Sequence, residues 1–553
     1  MGRVKRVLSV AAVCVLCIIV FACNPVELRT YLEKMTGFEG VIYINGQTGD
    51  DGNRGMRNEP LKTIQAGIDK AHSYMKDGLA DSVEVHVSEG NYEVTNGVEN
   101  VGDYINIVEG VSLYGGYSSD FSTKDSTLYV SKITDTTTGV EDTAAVRAYD
   151  GLTENTVIDG FTIQAGSGTG DIGSNALDIE RASPTVTNNV ILGGYATAGS
   201  LTLALDIYDN SSPIIEDNTI TGGNSPATNI GIVISDSSHP IVRNNTITGG
   251  SVGRSTAVVC WNTQALIENN DIDGGSGTDT LGINIMEDCF LNVRRNVIHG
   301  GSATTSSAGI LVQSDMVTIE GNRISGGSTT ANESNGILCR QTTWVGIRNN
   351  TIFGGAASGT ENAIGIYLDQ AYAGIYNNTI AGGQSDWSAG IFLQNESFPS
   401  IENNIIFSLA TNTRYCIYES SSNTGHASWI RNNDFAEISG STVMYRPYTG
   451  EDLHTLVDME ALDYASGNWN EDPTLADLDG VDGIIATIGD NDWHLKTDSP
   501  IEVRQGGQDG GPLGWGYTSD MDGASRTNLT DGPNDDPSND DASGWSMGAY
   551  ERD

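Results

Sequence analysis

Positive charge is what this chain has least of. Lys and Arg total 28 against 72 Asp and Glu, a formal net charge of −44 over 553 residues. No Lys occurs between Lys132 and Lys496. Phosphate backbones are held by clustered cations, so this balance excludes a nucleic-acid partner. An anionic polysaccharide is disfavoured as well, unless metal ions reverse the local field. Proline is scarce, at 13 residues. Cys260, Cys289, Cys339 and Cys416 stand far apart with no CxxC spacing. That spacing argues against a metal site or a disulfide framework and reads as buried free thiols. What remains is glycine, 68 residues of it, and an acidity that keeps a soluble extracytoplasmic protein dispersed.

The first residues carry a different message. Arg3, Lys5 and Arg6 precede an apolar run from Val7 to Ala22, and Cys23 follows. A basic start and an apolar core describe a secretory signal over residues 1–22. The run is short for a membrane span. The stretch "VFAC" resembles a bacterial lipobox, which implies lipid on Cys23, although Phe21 departs from the small residue usual there. The expectation is a lipoprotein anchored to a bacterial membrane, at the outer membrane or cell surface, with residues 23–40 as lipidated terminus and linker.

Past residue 180 one motif recurs ten times. Its anchor is an Asn that never changes: Asn189, Asn218, Asn245, Asn270, Asn296, Asn322, Asn350, Asn378, Asn404 and Asn433, spaced 25 to 29 residues apart. Such a period signals a solenoid. Three residues before each Asn stands Val or Ile, and two after it stands Ile, or Phe435 in the last copy. Alternation on both sides, rich in β-branched residues, reads as two short strands each burying one face. Asn suits the tight corner between them because it tolerates left-handed backbone angles. Segments such as "GIVI" (231–234) and "GILV" (309–312) supply a third strand.

Stacked coils of this kind place each strand beside its copy about 4.8 Å away, and stacked Asn amides bond to one another as a buried ladder. The expected fold is therefore all-β: a right-handed parallel β-helix, a solenoid of three strands per coil, with coils over residues 131–440. The hand follows from the rule for parallel crossovers. A β-propeller is disfavoured because each repeat is too short for four strands. Two residues before the ladder Asn, the chain reads Glu216, Arg243, Glu268, Arg294, Glu320, Arg348, Tyr376, Glu402, Arg431. Alternating signs facing outward predict a salt-bridge ladder in which Arg243 pairs with both Glu216 and Glu268.

Both ends differ from the coils. Within residues 41–130, Leu61, Ile64, Ile68 and Ala71 recur at helical spacing. A helix there would cap the open first coil, whose unpaired edge otherwise invites aggregation. "VIYINGQTGDDGNRG" and "GVSLYGGYSSDF" resemble a widespread uncharacterised extracellular domain that opens many pectin-lyase-like β-helices. The tail, residues 441–553, carries "DMDGASR" and "MGAYE", similar to the closing segment of bacterial surface β-helix proteins. Asp477, Asp479, Asp482, Asp520 and Asp522 are candidate Ca²⁺ ligands through their carboxylates. The EF-hand pattern is incomplete there, and a solvated acidic loop is the competing reading.

The resemblance raises catalysis, since the pectin-lyase-like superfamily holds polysaccharide lyases and glycoside hydrolases. A lyase needs a base beside a carboxylate held by a cation or metal. Lysine is missing from the coils, no "GHG"-like turn occurs, and pairs such as Glu287–Asp288 stand alone. Loops of six to nine residues after each central Gly pair are short for walling a cleft. Irregular stretches, 130–155 and 436–500, are where a cleft would have to lie. Trp261, Trp344 and Trp387 offer rings for neutral sugars, or simply pack on neighbours. Two readings follow: a noncatalytic structural, adhesive or glycan-binding surface protein, and a polysaccharide lyase or hydrolase. No catalytic residue and no cofactor beyond the Ca²⁺ candidates is assigned.

Overall fold

One repeat shows how the coil is built. The chain runs through Ile214–Glu216, turns at Asp217 and Asn218, continues as Thr219–Thr221, passes Gly222 and Gly223, and extends as Thr228–Ile234. A turn through residues 235–240 then brings Ile241–Arg243 into register beside Ile214–Glu216. In a computed structural model, residues 38–471 are described apart from 96–103, 138–142, 168–173, 197–200, 359–361, 424–425 and 437–441. Beyond 471 the description covers only residues 473, 475–477, 492–495, 507–508 and 544–545. Among the described residues the three strand types form parallel sheets of 15, 13 and 15 strands. The molecule is a right-handed parallel β-helix.

The core follows from strand periodicity. In the first sheet Ile215, Val242, Ile267 and Val293 form one inward column; in the second, Ile220, Ile247, Ile272 and Ile298 form another. All eight are fully buried. The long third sheet points two residues per coil inward, Ile232 and Ile234 in one coil and Val258 and Cys260 in the next, while Val233 and Val259 face out. Branched side chains fit these pleated stacks with little loss of rotamer freedom. Each contributes roughly 1.5–3 kcal/mol by leaving water.

Parallel pairing begins well before the first Asn motif. Val41–Ile44 lies beside Val83–Ser88, which lies beside Val111–Tyr117. Gly90–Val94 pairs with Ser131–Asp135, so the stack runs through residue 130 without a break. Helix α1, Ile64–Lys76, buries Ile64, Gly67, Ile68 and Ala71 and packs on the strands Val41–Ile44, Val83–Ser88 and Ile105–Ile107. Thr63 caps it, accepting from the amide of Ala66. At the far end a short helix α2, Leu456–Glu460, precedes Ala465–Ser466, which adds to the first sheet beside Trp429–Arg431. Two small antiparallel pairs follow, Leu475–Asp477 with Asp492–Leu495 and Gly507–Gln508 with Gly544–Trp545.

Candidate functional site

The repeated Asn pair divides its work between its two positions. The first residue of each pair carries the left-handed backbone: Asn188, Asp217, Asn244, Asn269, Arg295, Gly321, Asn349, Asn377, Asn403 and Asn432 have φ between 52° and 63°. The second residue is buried and extends its amide along the stack. Each Nδ2 donates to the Oδ1 of the next Asn at 3.0–3.2 Å, from Asn189 to Asn433, and Asn433 continues to Asn468 as an eleventh member. The same Oδ1 also accepts the backbone N–H of the preceding Asn, and Nδ2 reaches a strand carbonyl of the preceding coil, as Asn296 does to Ile267. A buried corner is fully satisfied in this way.

The charged column outside this corner resolves into separate pairs. Arg243 binds Glu216, Arg294 binds Glu268 and Arg348 binds Glu320, each reaching back to the preceding coil at 2.6–2.9 Å. Arg243 does not bridge to Glu268, because its Nε and Nη2 both converge on Glu216 Oε2. Arg431 instead lies 3.5 Å over the Trp429 ring. Cys260, Cys289, Cys339 and Cys416 are buried free thiols. Burial pushes the Cys339 thiol up to about 12 and Cys289 to about 11. Trp387 packs against Phe392, Tyr415 and Tyr418, whereas Trp261 and Trp344 are exposed. Glu287 and Asp288 lie in a turn beside a surface cavity. Cys23, Asp479, Asp482, Asp520 and Asp522 fall outside the described residues, and of Asp477 only the backbone is described.

The Gly pairs build the second corner and leave a groove beside it. Their lack of side chains is a packing demand: a Cβ on Gly249 would stand 2.4 Å from the Gly274 carbonyl oxygen, and one on Gly250 2.2 Å from that of Gly223. Behind the corner runs a buried polar column, Thr202, Asn229, Ser255, Thr280 and Ser307, in register through five coils. Thr202 Oγ1 donates to Asn229 Oδ1 and Ser255 Oγ to the Gly274 carbonyl. In front of it, a cavity of about 740 Å³ follows the corner across successive coils. Gln164, Tyr195, Asn224, Thr248 and Ser251 line it, with glycine backbone as floor. Among the described residues, Asp135 is the one charged residue in that lining, and it is buried. The Tyr195 ring is half exposed at the rim.

A second arrangement lies on the outward face of the long sheet. Arg147, Asp178 and Asp206 are in register on three consecutive coils, and Tyr149, Glu180 and Tyr208 repeat this two residues further on. The spacing in sequence equals the coil period, so no local motif announces the group. Its members are turned toward one another. The Arg147 guanidinium lies 4.0 Å from Asp178 and 4.4 Å over the Tyr104 ring, while Asn175 donates to Asp178 at 2.7 Å. Tyr208 donates to Glu180 at 3.0 Å. Burial pushes the Tyr149 phenol up to about 12 and Tyr208 higher still. Phenols held neutral in this way are donors at neutral pH, not bases. Asp178 is almost fully covered.

Comparison with known proteins follows the same outline. Residues 47–290 match the family model described as "Protein of unknown function (DUF1565)", and residues 281–445 match the one described as "Right handed beta helix region". No curated protein is significantly similar in sequence. Among solved structures, the chain is similar to the A-module of Azotobacter vinelandii mannuronan C-5 epimerase AlgE6, at 17% identity over 74% of this chain and 94% of that one, TM-score 0.28. It is also similar to XylC in complex with xylose (12% identity, 92% and 98% covered, TM-score 0.38). A third is PfbA, a surface adhesin of Streptococcus pneumoniae (13% identity, 64% and 87% covered, TM-score 0.33).

Proposed function

We propose that this β-helix is a noncatalytic, lipid-anchored protein of the bacterial surface that binds uncharged glycans along its Gly corner. The observation that carries the reading is the groove. Hydroxyl and amide side chains line it, a tyrosine ring stands at its rim, and the single charged group among its described lining residues is buried. Neutral sugars are held by such donors and acceptors together with stacking on an aromatic face. A strongly acidic molecule repels anionic chains, which narrows the ligand further. Anchoring rests on the leader: a basic start, an apolar run and Cys23. Incorporation of labelled fatty acid into the wild type but not into Cys23→Ala tests it.

Binding is tested by presenting the full-length protein to immobilised neutral glycans while assaying the same mixtures for new reducing ends and unsaturated products. The expected result is retention without product, weakened in Tyr195→Ala and Asn224→Ala. Release of product would overturn the reading. A second reading, a polysaccharide lyase or hydrolase, draws on the registered Arg147, Asp178 and Asp206. It predicts product that disappears in Arg147→Ala and persists in Tyr195→Ala. The internal pairing of that cluster and its raised phenol values favour the noncatalytic reading.

A further inference from the structure

The turn that leads from the long sheet back to the first sheet carries an unusual column. One position of this turn is occupied by Ser212, His239 and Gln264 in the earlier coils. Phe290 takes it next, directly in register with Gln264. The following coils place Met316, Trp344, Tyr372 and Phe398 there, each at the equivalent point ahead of strand positions that pair in register. The fold does not require this change, since three coils close the same turn with polar side chains. Core packing does not account for it either: Phe290, Met316, Trp344 and Tyr372 are 50%, 58%, 39% and 48% exposed.

The strip is narrow. Two residues along each strand, the next outward column reads Asn292, Thr318, Gly346, Gly374 and Ser400. Its glycines matter: the outer edge of the Trp344 indole reaches over Gly346, 3.0 Å from where a Cβ would stand, so a side chain there would meet the ring. Tyr372 and Phe398 stack at 5.4 Å between centroids. On the other flank a cavity of about 390 Å³ opens beside Phe290 and Met316, and Glu287, Asp288, Gln313, Asp315 and Gln341 line it. Among the described residues, no cation lines that cavity.

We infer that this column is a second carbohydrate site, separate from the Gly corner, for an extended uncharged oligosaccharide lying parallel to the solenoid axis. An apolar strip one residue wide, polar on both sides, fits a ligand that is itself narrow and amphipathic, with apolar ring faces and hydroxyl edges. Sugar rings stack on the Phe290–Tyr372 column, which rises about 4.8 Å per coil. The carboxylates of Asp288 and Glu287 accept sugar hydroxyls, charge-assisted bonds stronger than neutral ones. The same carboxylates reject an anionic chain. A protein partner would bury a broader apolar patch, as a stable interface covers more than about 1,000 Å² in total.

The test titrates the full chain with neutral β-linked glucan, xylan and mannan hexasaccharides, following heat and tryptophan fluorescence. At least one is expected to bind and to perturb Trp344 emission. Phe290→Ala and Trp344→Ala are expected to weaken that binding about tenfold, the scale of losing one anchoring ring, with Tm unchanged in Phe290→Ala, whose side chain is already half in water. Tyr195→Ala, which removes the rim of the other groove and lowers the heat due to that groove, should leave the sugar-induced change in Trp344 emission and its dependence on Phe290 intact, so the two sites fail independently. Three outcomes overturn the inference. One is no binding of any of the three sugars. Another is binding indifferent to Phe290→Ala and Trp344→Ala. The last is loss of self-association in these variants by sedimentation, which would assign the strip to a second copy of the chain.

Discussion

Asn296 shows how much one side chain can do in a stack. Its Oδ1 takes both the backbone N–H and the side-chain amide of Asn270; its Nδ2 serves the carbonyls of Ile267 and Arg294 and the amide oxygen of Asn322. Asn296→Ala would take the acceptor from the buried Asn270 N–H and a donor from the Ile267 carbonyl, both in the preceding coil, where each orphan costs about 1–3 kcal/mol. A lowered Tm and faster amide exchange confined to the coils around residues 267–322 are expected, with glycan preference unchanged. An unchanged Tm would remove the ladder from the account of stability. The thiols make the opposite case, of residues that do nothing chemical. Burial holds Cys260, Cys289 and Cys339 protonated, and the thiolate is the reactive form. Thiol reagents at pH 8 should therefore label none of these three in the native protein and all of them after denaturation.

The corners and columns behave as elements, and their energies differ in kind. The Gly corner is a steric element. Gly300→Ala would put a Cβ 2.2 Å from the Gly326 carbonyl oxygen, a backbone contact that cannot swing aside, so a loss of about 2 kcal/mol or more is expected in thermal unfolding. The outward Arg–Glu column is an electrostatic element in water. Arg294 and Glu268 form a 2.7 Å pair with the guanidinium about a third exposed, and exposed pairs contribute about 0–1 kcal/mol. A double-mutant cycle with Arg294→Ala and Glu268→Ala should return a coupling below about 1 kcal/mol; a larger value would make the column a stability device. Columns that recur at every coil were legible in the sequence, because β-branched residues and Asn return at a fixed offset. The candidate surfaces were not. Arg147, Asp178 and Asp206, or Phe290, Met316 and Trp344, meet only through register, and coil lengths that vary from 25 to 29 residues hide register from a linear reading. The left-handed corner residue was misplaced by one position for a related reason. Sequence shows Asn twice in most copies, with Asp217, Arg295 or Gly321 as the first residue in three, and only the backbone shows that the first residue bends.

At the scale of the whole molecule, stability is a sum of coil–coil interfaces, since each coil touches only its neighbours. That makes long-range charge a global variable acting on every interface at once. Acidic groups exceed basic ones by 44 over the full chain, and among the described residues the pairs of the Arg–Glu column are partly exposed. Two effects of salt then compete. Screening weakens the Arg–Glu pairs, worth at most about 1 kcal/mol each where exposed. It also relieves repulsion among the excess carboxylates, which acts over a Debye length of about 10 Å at 0.1 M. The excess of unpaired acid decides the sign. Raising NaCl from low ionic strength to 0.1 M and above, to roughly the 3 Å Debye length of 1 M, should raise Tm, steeply at first and then level off. The rise should be equal in wild type and in the Arg294→Ala variant, because the pair is not its source. A Tm that falls with NaCl would mean that the paired charges outweigh the unpaired ones in holding the coils together.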